Sequence, residues 1–178
     1  MKIGLAGTMS VGKTTLVKAL LELDEFKDYV GCVERSKYLS DLGIPLNTDS
    51  SVKGQLVFIA ERASELFNDN LLTDRTVYDV CAFTKEAKSI KSNEKEILFD
   101  AAMLLAKQYD IIFYVSPEGV DIENNGIRET DPEYRDMIDK SIKWFLNIYK
   151  PKRVVEIKGS TEERIATILN EMKELLLY

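Results

Sequence analysis

The sequence predicts an α/β domain in which parallel strands alternate with helices and both faces of the sheet are covered. Three observations carry that prediction. Five short apolar runs are spaced along the chain, amphipathic segments of helical period lie between them, and a glycine-rich loop at 7–14 separates the first run from the first helical segment. Alternation of this kind gives βαβ crossovers, whose strands are buried on both faces and so read as continuous apolar stretches.

The expected strands are 2–6 (KIGLA), 29–33 (YVGCV), 70–73 (NLLT), 110–115 (DIIFYV) and 153–157 (RVVEI). The first helix is read from Leu16, Ala19, Leu20 and Leu23, which fall at i, i+3, i+4 and i+7. Val52, Leu56, Ile59, Ala63 and Leu66 set the face of a second, and Ile97, Leu98, Ala101, Leu104 and Leu105 that of another. Asp131 followed by Pro132 reads as an N-cap and first helical residue, opening a helix that carries Ile138, Ile142, Phe145 and Tyr149. Trp144, beside Phe145, is expected in the core. Ser160 with Glu163 three residues on is a capping box ahead of Ile165, Ile168, Leu169 and Met172.

No repeat, low-complexity tract or Pro/Gly-rich linker interrupts the chain, so residues 1–178 are expected to form one domain. Net charge is −6, which argues against a broad basic footprint for duplex nucleic acid. The absence of histidine excludes His-based triads, His metal ligands and an imidazole base. Cys32 and Cys81 lie in separate apolar segments and read as reduced, buried thiols. The apolar stretch after Met1 is too short for a signal sequence, and no run approaches the length of a membrane span, so a cytoplasmic location is expected.

The loop Gly7-Thr-Met-Ser-Val-Gly12-Lys13-Thr14 matches the phosphate-binding pattern Gly-x-x-x-x-Gly-Lys-Thr at every fixed position, directly after a strand and before a helix. Glycines at its ends allow backbone angles that turn successive N–H groups inward around phosphate oxygens. The loop residues Gly7, Ser10, Val11, Gly12, Lys13, Thr14 and Thr15 are therefore expected to bind ATP. Lys13 would reach the β- and γ-phosphates and the Thr14 hydroxyl would ligate Mg²⁺. A dinucleotide-binding reading fails because Gly-x-Gly-x-x-Gly is missing. The guanine-reading Asn/Thr-Lys-x-Asp signature is missing too, and no apolar run ends in the Asp-Glu of motor ATPases.

After the third strand comes Asp74-Arg75-Thr76-Val77-Tyr78-Asp79. With the loop at 7–14, an acidic residue after strand two and an arginine-bearing segment after strand four, the chain resembles the P-loop nucleoside and nucleotide kinases. That group includes thymidylate, deoxynucleoside and nicotinamide riboside kinases. The closest likeness is to the AAA-type family containing the riboside-kinase domain of a bacterial NAD regulator. The resemblance implies a P-loop three-layer sandwich, a five-stranded parallel sheet of order 2-3-1-4-5 with helices on both faces. It further implies that Asp74 helps hold Mg²⁺ or assists the acceptor hydroxyl, and that Arg75 meets the acceptor or the transferring phosphoryl group. Glu34 would serve as base or substrate anchor beside Arg35. The segment at about 118–136 would be a lid whose Arg128, or secondly Arg135, closes on the phosphates. Gln55 would read a base edge, its plain alternative being a helix-surface glutamine.

These readings lead to an expected ATP- and Mg²⁺-dependent kinase acting on a small-molecule acceptor, a nucleoside or nucleoside monophosphate. A P-loop hydrolase working as a switch or motor, and a non-catalytic nucleotide-binding module, are the alternatives. No duplex nucleic acid and no membrane is expected among the partners, and monomer versus homodimer stays open.

Overall fold

The computed structural model describes residues 1–33, 35–121 and 131–177. The chain runs β1 (Lys2–Ala6), α1 (Lys13–Leu21), β2 (Val30–Cys32), α2 (Ser36–Asp41), α3 (Val52–Glu65), β3 (Leu71–Thr73), α4 (Val77–Glu86), α5 (Ser92–Ala106), β4 (Ile111–Val115), α6 (Pro132–Ile148), β5 (Val154–Ile157) and α7 (Thr161–Leu176). All pairings are parallel and the sheet order is β2-β3-β1-β4-β5, the order that the kinase resemblance implied. Each strand falls inside its predicted run.

Alternation along the strands divides the apolar residues between two cores. Ile3 and Leu5 of β1 and Ile111, Phe113 and Val115 of β4 face α1 and α7, where they meet Leu16, Leu20 and Ile168. Ile112 and Tyr114 of β4 face the opposite layer, with Phe58, Tyr78, Leu98, Ile142 and Phe145 from α3 to α6. Ile111 and Phe113 are fully buried, so each contributes about 1.5–3 kcal/mol from burial.

Caps fix where the helices start. The Asp131 side chain accepts from the Glu133 N–H (2.9 Å), with Pro132 in the first turn. Ser160 and Glu163 form the expected capping box. A second box, Thr76 with Asp79, opens α4 and was not anticipated. Nor was the short α2.

Two helices bury faces out of phase with expectation. In α5 the inward residues are Leu98, Ala102 and Ala106, while Ile97 and Leu104 are 67% and 81% exposed. Apolar residues there cover more of the helix than its buried stripe. In α3 the buried set is Gly54, Gln55, Phe58, Ile59 and Arg62, and Leu56 is 48% exposed. Two polar side chains take the inward face, which an apolar count cannot foresee. Trp144 is also corrected: it is 47% exposed, with Phe145 beneath it in the core. Among the described residues no helix is long and apolar enough to cross a membrane.

One close approach sets the stage for the site. A Cβ on Gly4 would lie 2.6 Å from the Thr76 methyl, so only glycine lets the central strand accept the β3–α4 turn. The loops after β1, β2 and β3 therefore open side by side at the carboxyl edge of the sheet, where ligands of such sheets bind.

Candidate nucleotide-binding site

The loop between β1 and α1 has the shape that its sequence requires. Ser10 and Gly12 both adopt left-handed backbone angles, with φ of 57° and 83°. Gly12 caps α1, so the positive end of that helix faces the loop. The Lys13 ammonium is buried and donates to the carbonyls of Gly7 (2.6 Å) and Thr8 (2.9 Å).

Asp74 follows β3 directly, its N–H held by the Cys32 carbonyl (2.9 Å). Its carboxylate accepts a hydrogen bond from the Thr14 hydroxyl. The two side chains predicted to hold Mg²⁺ are thus in contact. Among the described residues no cluster of three or more His, Cys, Asp or Glu exists. Mg²⁺ bound with a nucleotide needs only one or two protein oxygens, because phosphates and water complete its octahedron. A hydroxyl and a carboxylate, both hard oxygen donors, fit that demand.

The Asp79 carboxylate is fully buried and ties the two loops together. One oxygen accepts from the Gly7 N–H (3.0 Å), and the other from the Thr76 N–H (2.9 Å) and hydroxyl (2.7 Å). Arg62 braces the same turn by donating to the Arg75 carbonyl (3.1 Å) and pairing with Glu65, which also accepts from Thr73 (2.8 Å). Burial pushes the Glu65 carboxyl above the usual carboxylate range, against the opposing pull of Arg62.

One cavity is lined both by the phosphate loop, Met9 through Thr15, with Asp74, and by a chamber wall of Gln55, Phe58, Arg75, Val80 and Phe83. The Arg75 guanidinium lies over the Phe83 ring at 4.8 Å and near Phe58 at 5.9 Å. Gln55 is 1% exposed, not a surface glutamine, and its side-chain oxygen lies 3.1 Å from the Thr84 hydroxyl. That hydroxyl also lies 2.8 Å from the Val80 carbonyl.

The structure therefore gathers the loop residues, Gln55, Asp74 and Arg75 into one site. Arg35 stands apart: it is exposed, stacks on Tyr38 (4.5 Å) and pairs with Glu61 (3.4 Å), while its neighbours Ser36 and Lys37 line the cavity. The Arg135 guanidinium is committed to the carbonyls of Met9 (3.2 Å) and Val120 (2.7 Å). Glu34 and Arg128 lie outside the described residues. Sequence reasoning missed Asp79, Arg62, Phe58 and Phe83. A Thr-x-x-Asp spacing ahead of an apolar run was the available signal for Asp79. Arg62 stands seven residues after Gln55, on the same helical face. The two cysteines are not nucleophile candidates, since burial and then Glu65 push the Cys32 thiol up to about 11, and burial also raises Cys81.

Residues 2–164 match the family described as AAA domain, and the chain belongs to that family. No curated protein matches its sequence. Among solved structures, the deoxyadenosine kinase of M. mycoides with bound dCTP superposes with a TM-score of 0.69 at 20% identity, covering 98% of this chain and all of the other. The same kinase with bound dATP gives 0.66 at 19% identity, with 97% and 100% covered. With dCMP and a flexible dCDP bound as products, it gives 0.65 at 18% identity, with 98% and 100% covered. The fold is that of the P-loop nucleoside and nucleotide kinases.

Proposed function

We propose that this protein transfers the γ-phosphoryl group of ATP, with Mg²⁺, to a nucleoside or nucleoside monophosphate. The observation that carries this reading is the continuous cavity that runs from the phosphate loop into a chamber of two aromatic rings and an amide. Phe58 and Phe83 offer flat apolar walls to a heteroaromatic base, and the buried Gln55 offers donor and acceptor groups for its edge. A hydrolase would need no such chamber. The deoxyadenosine kinase that shares the fold was solved with deoxynucleotides bound, which supports a nucleoside-type acceptor.

Phosphoryl transfer asks mainly for positioning and charge neutralisation. In this proposal the loop N–H groups and Lys13 bind the triphosphate, and Thr14 and Asp74 would hold Mg²⁺, which supplies charge to the phosphate oxygens when bound. Arg75, which lines the cavity with its guanidinium over Phe83, would orient the acceptor end. Glu34 is proposed to receive the acceptor hydroxyl proton, and Arg128 to close over the phosphates. Arg35 and Arg135 are proposed at the rim of the acceptor and lid.

The test is ADP release by the purified protein across a panel of nucleosides, nucleoside monophosphates and nicotinamide riboside. At least one acceptor should raise ADP release by orders of magnitude over ATP alone, where unpositioned water is the only nucleophile. Vigorous ATP turnover indifferent to every acceptor would instead favour the switch or motor hydrolase.

A further inference from the structure

Arg164 sits in the first turn of α7 and is 5% exposed. A cation at that end of a helix opposes the helix dipole, and burying it costs free energy unless it is paired. No carboxylate offsets it among the described residues, and burial lowers its proton affinity. Its Nε is buried with no hydrogen-bond partner. What it does touch is the phosphate loop: Nη1 donates to the Val11 carbonyl (2.7 Å) and would lie 3.5 Å from a Cβ placed on Gly12.

The peptide between Val11 and Gly12 is planar and trans, so its carbonyl and N–H point in opposite directions. Holding the Val11 carbonyl outward therefore turns the Gly12 N–H inward. The same relation recurs two residues earlier. Arg135 Nε holds the Met9 carbonyl ahead of Ser10, the other left-handed residue of the loop. Each unusual backbone angle thus follows a carbonyl fixed by a guanidinium. The anion nearest in kind to what Arg164 lacks is the polyphosphate of the nucleotide proposed for this loop, which the inward Gly12 N–H would meet.

We infer that Arg164 is a positioning residue for the phosphate loop: it presets the Gly12 N–H toward the polyphosphate, and its charge is offset only when nucleotide is bound. The inference rests on the nucleotide-binding part of the proposed function and is indifferent to the acceptor.

The test compares Arg164→Met, Arg164→Lys and the parent protein by calorimetric titration with Mg·ATP and Mg·ADP, alongside melting with and without nucleotide. Arg164→Met should weaken both nucleotides by about ten-fold or more, the scale of a lost charged hydrogen bond. Its unliganded melting temperature should hold or rise, because an unpaired buried charge has been removed, while the nucleotide-induced shift shrinks. Arg164→Lys, which keeps the charge, should recover part of the affinity; if the Met variant does not fold, the Lys variant carries the test, with affinity between one half and one tenth of the parent's. Nucleotide affinity within two-fold of the parent in the folded variant would overturn the inference. So would a loss of unliganded stability with the nucleotide-induced shift intact, which is what a purely structural arginine gives. Failure of the parent itself to bind either nucleotide would instead sink the proposed function.

Discussion

At the Thr14–Asp74 contact, a hydroxyl donates to a carboxylate at the point where one strand's loop meets another's. The partners come from different motifs, 60 residues apart, and their union brings two hard oxygen donors to one point. Asp74→Asn keeps the shape and removes the charge. The proposed enzyme should then lose kcat by about a hundred-fold or more, as expected when metal-borne charge stabilisation of several kcal/mol is weakened. ATP affinity should change far less, because the loop N–H groups and Lys13 remain. Steady-state kinetics together with a nucleotide titration check this, and an equal fall in both quantities would refute it. Gln55 poses a finer question. Thr84 has one hydroxyl proton to share between Gln55 and Val80, so its direction sets which end of the amide faces the chamber. Thr84→Val should release that orientation and flatten acceptor preference by several-fold, read as the ratio of kcat/KM between two bases, with nucleotide affinity unmoved.

At the level of elements, Asp79 joins the start of α4 to the start of the phosphate loop, a contact across 72 residues. Replacing it with alanine leaves the Gly7 N–H and the Thr76 N–H without their acceptor in a buried setting. Each such loss costs about 1–3 kcal/mol, so Asp79→Ala should destabilise by about 3 kcal/mol or more in urea unfolding. A cost below about 1 kcal/mol would mean that the two loops hold their positions independently. This joint also marks where reading a sequence stops. The loop at 7–14 and the capping box of Ser160 with Glu163 were legible because their residues are local and their spacing is dictated by a turn. The strands were legible because burial on both faces leaves unbroken apolar runs. Arg164 and Val11, 153 residues apart, share no local pattern, and nothing near either residue marks the contact. The inward face of α3 was misphased for a related reason. Gln55 and Arg62 are buried by what they bond to, and an apolar period is blind to that.

For the whole molecule, the two cores hold the sheet rigidly between α1 and α7 on one side and α3 to α6 on the other. The site is assembled from the ends of β1 and β3 and from α3 and α4, whose loops are tied together by hydrogen bonds from Thr14, Gly7 and Arg62. A ligand that bridges those ends should therefore stabilise the entire fold and not one loop alone. At a hundred-fold excess over its dissociation constant, Mg·ATP adds about 2.7 kcal/mol to the folded state. For a chain of this length that corresponds to a rise in Tm of about 5–10 °C. Lys13→Ala should melt near the parent temperature without nucleotide, because its ammonium hydrogen-bonds the Gly7 and Thr8 carbonyls of its own loop. It should lose most of the nucleotide-induced rise. Withdrawing Mg²⁺ with a chelator should reduce the rise in the parent but change little in Asp74→Asn, since the charge that favours the cation is already gone. Thermal melts of the three proteins, each with ATP in the presence and absence of Mg²⁺, separate these contributions. A parent whose rise is the same with and without Mg²⁺ would show that Thr14 and Asp74 touch each other without serving a cation.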